Sequence, residues 1–437
     1  MVGFEDSVGP GDTSDSVVKL FDVKDWALAA VGGNFTHPFD QQDVIVADNG
    51  NMVAILSAGE TTDDLAMIRV FRVDNGQLLD RRMIRGFDPT VGGIASHGDL
   101  SVIVVATYEP QEIGAKHAIQ AFRLMEDGTN GGNNTEWVPL GNNISQASAK
   151  GQFSLSSSNM VLVVGDGEFG EERNPQGRIR IFQFQDEDWQ LEAEFQGNVT
   201  QGEEQLGWST SIDENGTTVA AGMPLSRNYF KIPNAGGVAV YTKENGSWIQ
   251  RDHFSMGNED SFFAYSLALS RDGRRLAAGT FPPKRTVEYS AVRLFEYDSE
   301  QRRWELMFRD RGFLISYDEE GEIVALAWTE LGQSVAFNED GTLLATGSFS
   351  TARQNHVRVY NLSCLQAREE YDSSLLGSET ARNATNAANI FQHGGPSMAP
   401  SPTPVSSNTG VAFRPTLSPI CITAPADCAS DAGADEE

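Results

Sequence analysis

Residues 206–223 read LGWSTSIDENGTTVAAGM: a short apolar stretch, a turn written Asp213-Glu214-Asn215-Gly216, and a second apolar stretch that ends at Gly222. Downstream, Gly237-Val238-Ala239-Val240-Tyr241 leads to Trp248. The same order returns from Phe263-Ala264-Tyr265-Ser266 through Arg271-Asp272-Gly273, Leu276-Ala277-Ala278-Gly279 and Val292-Arg293-Leu294-Phe295 to Trp304. It returns once more from Leu331-Gly332-Gln333-Ser334 through Glu339-Asp340-Gly341 and Leu343 to Gly347, then Val357-Arg358-Val359-Tyr360. One unit has been copied in tandem, and copies too small to bury their own faces must stack on one another.

Each unit supplies four strands. Asn-Gly and Asp-Gly tolerate the positive φ angles that two-residue hairpin turns require, so strands one and two form a tight hairpin. Period-two alternation, clearest from Arg178 to Phe184, marks strand three as half-buried and farther from the centre. A Trp opening strand four can cover the seam between units, where burying the ring contributes roughly 2 to 3 kcal/mol. Weaker copies span 43–80, 93–137 and 151–189, which brings the hairpins to six.

The last copy reaches strand three and stops, because the chain after Ser363 has neither Trp nor strand-like alternation. Trp26 to Val31, by contrast, look like an unattached strand four. The two ends together complete one blade, since an open arrangement would expose two sheet faces and their edges. The predicted fold is therefore an all-β β-propeller of six four-stranded blades over residues 16–363, closed by the N-terminal strand. Residues 1–15 and the Pro/Ser/Thr-rich, acidic tail 364–437 are expected to be disordered. Ser16 to Val23 resemble a spare strand three and leave a seventh blade open, whereas the hairpin-like pattern within 311–330 reads as an insertion.

The order Gly-x-Ser, Asp-Gly, Ala-x-Gly, Val-x-Val-Tyr and Trp resembles the degenerate FG-GAP-like, integrin-α-type propeller repeat, over roughly residues 17 to 363. That resemblance implies a propeller with an adhesion or interaction role. Ser334 to Asn361 is also similar to a WD40 repeat, without that family's Gly-His and Trp-Asp dipeptides. FG-GAP blades carry a calcium loop of alternating Asp and Asn. The corresponding turns here, Asp213 to Gly216, Asn338 to Gly341 and Asp272-Gly273, hold too few oxygens for the roughly six or more that calcium takes. No cofactor is expected; calcium stays open but is not supported by complete loops, and these carboxylates read as turn formers.

Charge narrows the partners. Lys and Arg total 32 against 61 Asp and Glu, a formal net charge of -29, and such a field repels phosphate backbones and anionic lipid surfaces. Nucleic acid is excluded on that ground, which leaves a protein or glycan partner. No apolar run is long enough to span a membrane, and Met1 to Asp15 lack the basic and apolar regions of a signal peptide. Sequons at Asn34, Asn133, Asn143, Asn198, Asn215, Asn245, Asn361 and Asn383, with the Pro/Ser/Thr tail, suggest an extracellular or cell-surface setting. Turns rich in Asn, Gly, Ser and Thr generate sequons by themselves, so the compartment stays open, as does the oligomeric state. Cys364, Cys421 and Cys428 all follow the last repeat. Cys421 and Cys428 could equally be bonded or free.

The six histidines, His37, His97, His117, His253, His356 and His393, show no metal-ligand spacing. No Gly-x-Ser-x-Gly elbow or phosphate loop is present. The acidic run Asp166 to Glu172 reads as a solvated loop. Loops after strand two, Pro224 to Asn234 and Phe281 to Tyr289, carry Arg227, Tyr229, Phe230, Lys231, Lys284 and Arg285, the best candidates for partner contact on a shared rim. The sequence therefore points to a non-enzymatic binding, adhesion or interaction scaffold that presents those loops to a protein or glycan. Two alternatives stand beside it: an enzyme acting on glycans at the central channel, which needs carboxylates or a His converging on the axis, and an intracellular WD40-like scaffold.

Overall fold

The computed structural model describes residues 2–5, 16–24, 27–37, 41–57, 67–73, 78–80, 94–109, 116–126, 135–146, 152–171, 174–198, 204–227, 233–255, 262–281, 291–310, 313–317, 323–328, 331–348 and 356–363. They form an all-β propeller of six blades. Blade 1 runs through Gln41–Val46, Met52–Ser57, Met67–Arg72 and Leu78–Asp80, and blade 2 through Ile94–Ser96, Val102–Glu109, Lys116–Glu126 and Thr135–Gln146. Blade 3 comprises Phe153–Leu155, Val161–Asp166, Arg178–Gln185 and Asp188–Gln196; blade 4 comprises Thr210–Ile212, Thr218–Met223, Gly237–Glu244 and Ser247–Phe254. Blade 5 is Phe263–Leu269, Arg275–Thr280, Val292–Asp298 and Arg303–Asp310, and blade 6 is Leu331–Phe337, Leu343–Ser348 and His356–Asn361. Every blade is an antiparallel meander in chain order.

The core lies between blades. Leu162, Val164 and Phe182 of blade 3 pack on Val104, Ile119 and Leu140 of blade 2, while Val161, Val163, Ile179 and Ile181 on the other face meet Val219, Ala221 and Tyr241 of blade 4. Strand two is thus apolar on both faces, and Val161–Asp166 and Arg275–Thr280 are buried along their whole length. The strand-four tryptophans close these seams as expected. Trp189 donates its indole N–H to the Leu140 carbonyl of blade 2 at 3.0 Å, and Trp248 donates to Glu192 of blade 3 at 2.9 Å.

The repeat signature itself is seam chemistry. Ser209 Oγ donates to the Ala264 carbonyl of the next blade at 2.8 Å, and Ser266 Oγ to the Gly332 carbonyl at 2.7 Å. The glycine that ends strand two faces the same carbonyl. A Cβ on Gly222 would collide with Ser209 Oγ and the Ala264 carbonyl oxygen, and one on Gly279 with Ser266 Oγ and the Gly332 carbonyl oxygen. Only glycine leaves room for the neighbouring backbone.

Three expectations change. First, Ala27–His37 does not complete blade 6: it pairs antiparallel with Ser16–Lys24, which in turn pairs with Val2–Glu5 in a separate three-stranded sheet. The hairpin between Lys24 and Ala27 closes a loop of a few residues, whereas pairing with His356–Asn361 would close a loop of hundreds, and loop-closure entropy favours the local partner. Trp26 lies outside the described residues. Second, Val2–Glu5 is a strand inside the segment expected to lack structure. Third, the hairpin turns are not two-residue turns. Gly50, Gly216, Gly273 and Gly341 have φ between 66° and 69°, but Asn49, Asn215, Asp272 and Asp340 are not among the positive-φ residues. The Asp213 N–H reaches the Thr218 carbonyl around a Gly216-to-Asp213 turn, a longer loop with one left-handed glycine. The insertion is as expected, with Phe313–Tyr317 and Ile323–Trp328 forming their own two-stranded sheet.

Candidate functional site at the axial mouth

From blade 1 to blade 6, strand one of each blade packs against strand one of the next, so these strands are innermost and their hairpin turns gather around the axis. Main-chain bonds fix the turns to one another. Asp48 N–H reaches the Gly98 carbonyl at 2.7 Å, Ser158 N–H the Glu214 carbonyl at 3.1 Å, and Glu214 N–H the Arg271 carbonyl at 3.0 Å. Within each turn the acidic residue predicted as a turn former has that role. Asp213 Oδ1 accepts from the N–H groups of Thr217 and Thr218 at 2.7 and 2.9 Å, and Asp272 Oδ1 accepts from Ser270 Oγ at 2.6 Å.

The residue two places before the turn glycine is left free to face the axis. In blades 1, 4, 5 and 6 it is Asp48, Glu214, Arg271 and Glu339. Arg271 forks onto Glu214, with Nε to Oε2 at 2.5 Å and Nη2 to Oε1 at 2.6 Å; its Nη1 contacts Glu339 and lies 3.9 Å from Asp48. One guanidinium therefore joins four blades. Around it opens a cavity of about 170 Å³, lined by Asp48, Asp213, Glu214, Arg271 and Glu339 together with apolar residues such as Leu155 and Leu269.

Electrostatics follow from the composition of this lining. The Glu214 hydrogen bond holds the Arg271 guanidinium above its ordinary pKa, and the Arg271 and Ser158 hydrogen bonds hold the Glu214 carboxyl below its ordinary value. Both are charged at neutral pH, and the carboxylates of the lining outnumber its one guanidinium. The cavity presents fixed negative charge to a polar, open space. Among the described residues no group of three or more His, Cys, Asp or Glu is arranged to hold a metal ion.

Of the rim residues singled out from sequence, Arg227 is exposed, whereas Tyr229, Phe230, Lys231, Lys284 and Arg285 lie outside the described residues. Asn143, Asn198, Asn215 and Asn245 are exposed, Asn361 is half-buried, Asn34 lies in the strand Ala27–His37, and Asn133 and Asn383 lie outside the described residues. The axial quartet was missed because each member reads as an ordinary turn residue along the chain. Comparing the same position across repeats, one Arg among three acids, exposes it.

No family model matches the chain, and no curated protein matches it. Solved structures do. A putative 6-phosphogluconolactonase from Bacteroides uniformis is similar over 80% of this chain and 92% of its own, at 14% identity and a TM-score of 0.47. A second, from Bacteroides fragilis, is similar over 80% and 91%, at 12% identity and a TM-score of 0.46. Hsv2 of Kluyveromyces lactis is similar over 80% of this chain and 94% of its own, at 14% identity and a TM-score of 0.43. The non-enzymatic scaffold expectation is corrected at this point. Its premise was an absence of clustered chemistry, yet charged side chains of four blades cluster about one axial cavity. The FG-GAP resemblance reduces to its coarser content: the chain is a six-bladed β-propeller.

Proposed function

We propose that this propeller is an enzyme that cleaves neutral glycans at the mouth of its axis, where Asp48, Glu214, Arg271 and Glu339 converge. That convergence is the observation that carries the reading. Glycosidic cleavage passes through a transition state with positive charge at the anomeric centre, and preorganised negative groups lower its energy. Glu214, clamped by Arg271 and Ser158, is the fixed, ionised stabiliser. Glu339 shares the Arg271 guanidinium but has its side chain 54% exposed against 27% for Glu214, and is the carboxylate more open to accept a proton from a water. An excess of carboxylates within a chain of net charge -29 disfavours phosphorylated and uronic sugars, which sets the substrate class as uncharged.

The test is reducing-end release from starch, xylan, mannan and mixed-linkage β-glucan, with polygalacturonate and sugar phosphates alongside. Turnover confined to one or more of the neutral polymers supports the proposal. If none of them is cleaved, or if the anionic substrates are preferred, it is wrong.

A further inference from the structure

The charged cavity occupies the turn end of the innermost strands, and a different surface lies at their other end. Strand one of blades 4 and 5 is approached through paired left-handed residues: Gln205 and Gly207 with φ of 58° and 88°, Phe262 and Ala264 with φ of 47° and 68°. Phe262 and Ala264 carry a Cβ in a conformation that L residues avoid, and such departures gather where a fold must aim a side chain. Here each turn is closed by a main-chain bond, Trp208 N–H to Gln205 at 3.1 Å and Tyr265 N–H to Phe262 at 3.2 Å. The side chains so aimed are Trp208 and Tyr265.

Their rings lie 5.6 Å apart between centroids, and Tyr265 continues to Phe281 at 4.8 Å. Behind Trp208, the backbone of blade 3 at Gly167 approaches so closely that a Cβ there would sit 3.2 Å from Trp208 Cα. The indole is supported from below. All three aromatics are half-buried, unlike the seam tryptophans Trp189 and Trp248, which are buried at 7% and 8% exposure. Trp208 and Phe281 each pack against Tyr265, with tilts of 46° and 37°, so three linked rings offer contact area to more than one residue of an extended ligand. Aromatic faces with a polar tip serve where one side of the ligand is apolar and the other wet, as on the two sides of a sugar ring.

We infer that Trp208, Tyr265 and Phe281 are a stacking platform for a neutral oligosaccharide chain, a binding site separate from the charged cavity. The ligand class rests on the neutral-glycan reading above; the site does not share its residues.

The experiment is calorimetric titration of the full chain with maltohexaose, xylohexaose, mannohexaose and, as a competing ligand class, a peptide of residues 396–404. Wild type should bind at least one of the three saccharides. W208A and Y265A should each weaken that binding about tenfold, while W208F, which keeps a ring and guards against misfolding, should stay within about twofold. Binding without glycan turnover would uphold the platform and remove the enzyme; turnover with W208A binding unchanged would do the reverse. The inference is overturned if none of the saccharides binds, if W208A binds them as wild type does, or if only the peptide binds.

Discussion

Gly279→Ala should loosen the joint between blades 5 and 6 far more than a single methyl suggests. The added Cβ would collide with the Gly332 carbonyl oxygen, lie 2.7 Å from its carbonyl carbon, and overlap Ser266 Oγ. Neither obstacle can move cheaply, because Ser266 Oγ is bonded to that same carbonyl at 2.7 Å and Gly332 itself sits at φ 100°. Overpacking of this kind costs about 1–3 kcal/mol. Loss of the Ser266 bond adds about 1 kcal/mol, and the lower entropy of an unfolded chain carrying Ala returns about 0.4–1 kcal/mol. A net loss of about 1–4 kcal/mol, centred near 2, follows. Urea denaturation read by intrinsic fluorescence measures it, with Ser266→Ala as the control that removes the bond alone, at about 1 kcal/mol. If Gly279→Ala proves as stable as wild type, or costs no more than Ser266→Ala, the seam explanation of the Ala-x-Gly signature is wrong.

Other consequences can be measured on the same protein. Trp189→Phe keeps most of the ring but leaves the buried Leu140 carbonyl without its 3.0 Å donor; it should cost about 1–2 kcal/mol, against about 3–5 kcal/mol for Trp189→Ala, in paired denaturation curves. Glu204 is 3% exposed, and burial raises its carboxyl above the ordinary value of 4.5 although the Asn198 N–H opposes the shift. The folded state therefore holds this proton more tightly, and the group adds stability as pH falls through its raised value toward 4.5. Melting temperatures from about pH 8 to about pH 5 should rise for wild type relative to Glu204→Gln; parallel curves would count against the buried, raised carboxyl.

Much of the fold could be read from spacing. Asp-Gly turns, Ala-x-Gly strand ends and Trp at strand four recur because each solves a local steric or packing problem, and local problems leave local signatures. Ring closure did not, since Trp26 to Val31 have a strand-four pattern yet Ala27–His37 pairs with the adjacent Ser16–Lys24; pattern reports that a segment is a strand, and proximity along the chain decides its partner. Function was less legible still. Asp48, Glu214, Arg271 and Glu339 are separated by up to hundreds of residues and meet only because equivalent turn positions of a ring converge on its axis. Trp208 and Tyr265 were visible as members of the repeat, but their exposure depends on left-handed backbone at Gly207 and Ala264, and Ala264 carries no sequence mark of that conformation.

The axial quartet is tested most directly by comparing kcat/KM for the neutral glycan that wild type cleaves with the values for Glu214→Gln and Glu339→Gln, each checked for an unchanged far-UV spectrum and oligomeric state. A fall of about a hundredfold or more in both variants is predicted, the scale on which a preorganised charge acts at a transition state. Undiminished turnover in either folded variant would place the chemistry elsewhere and contradict the account.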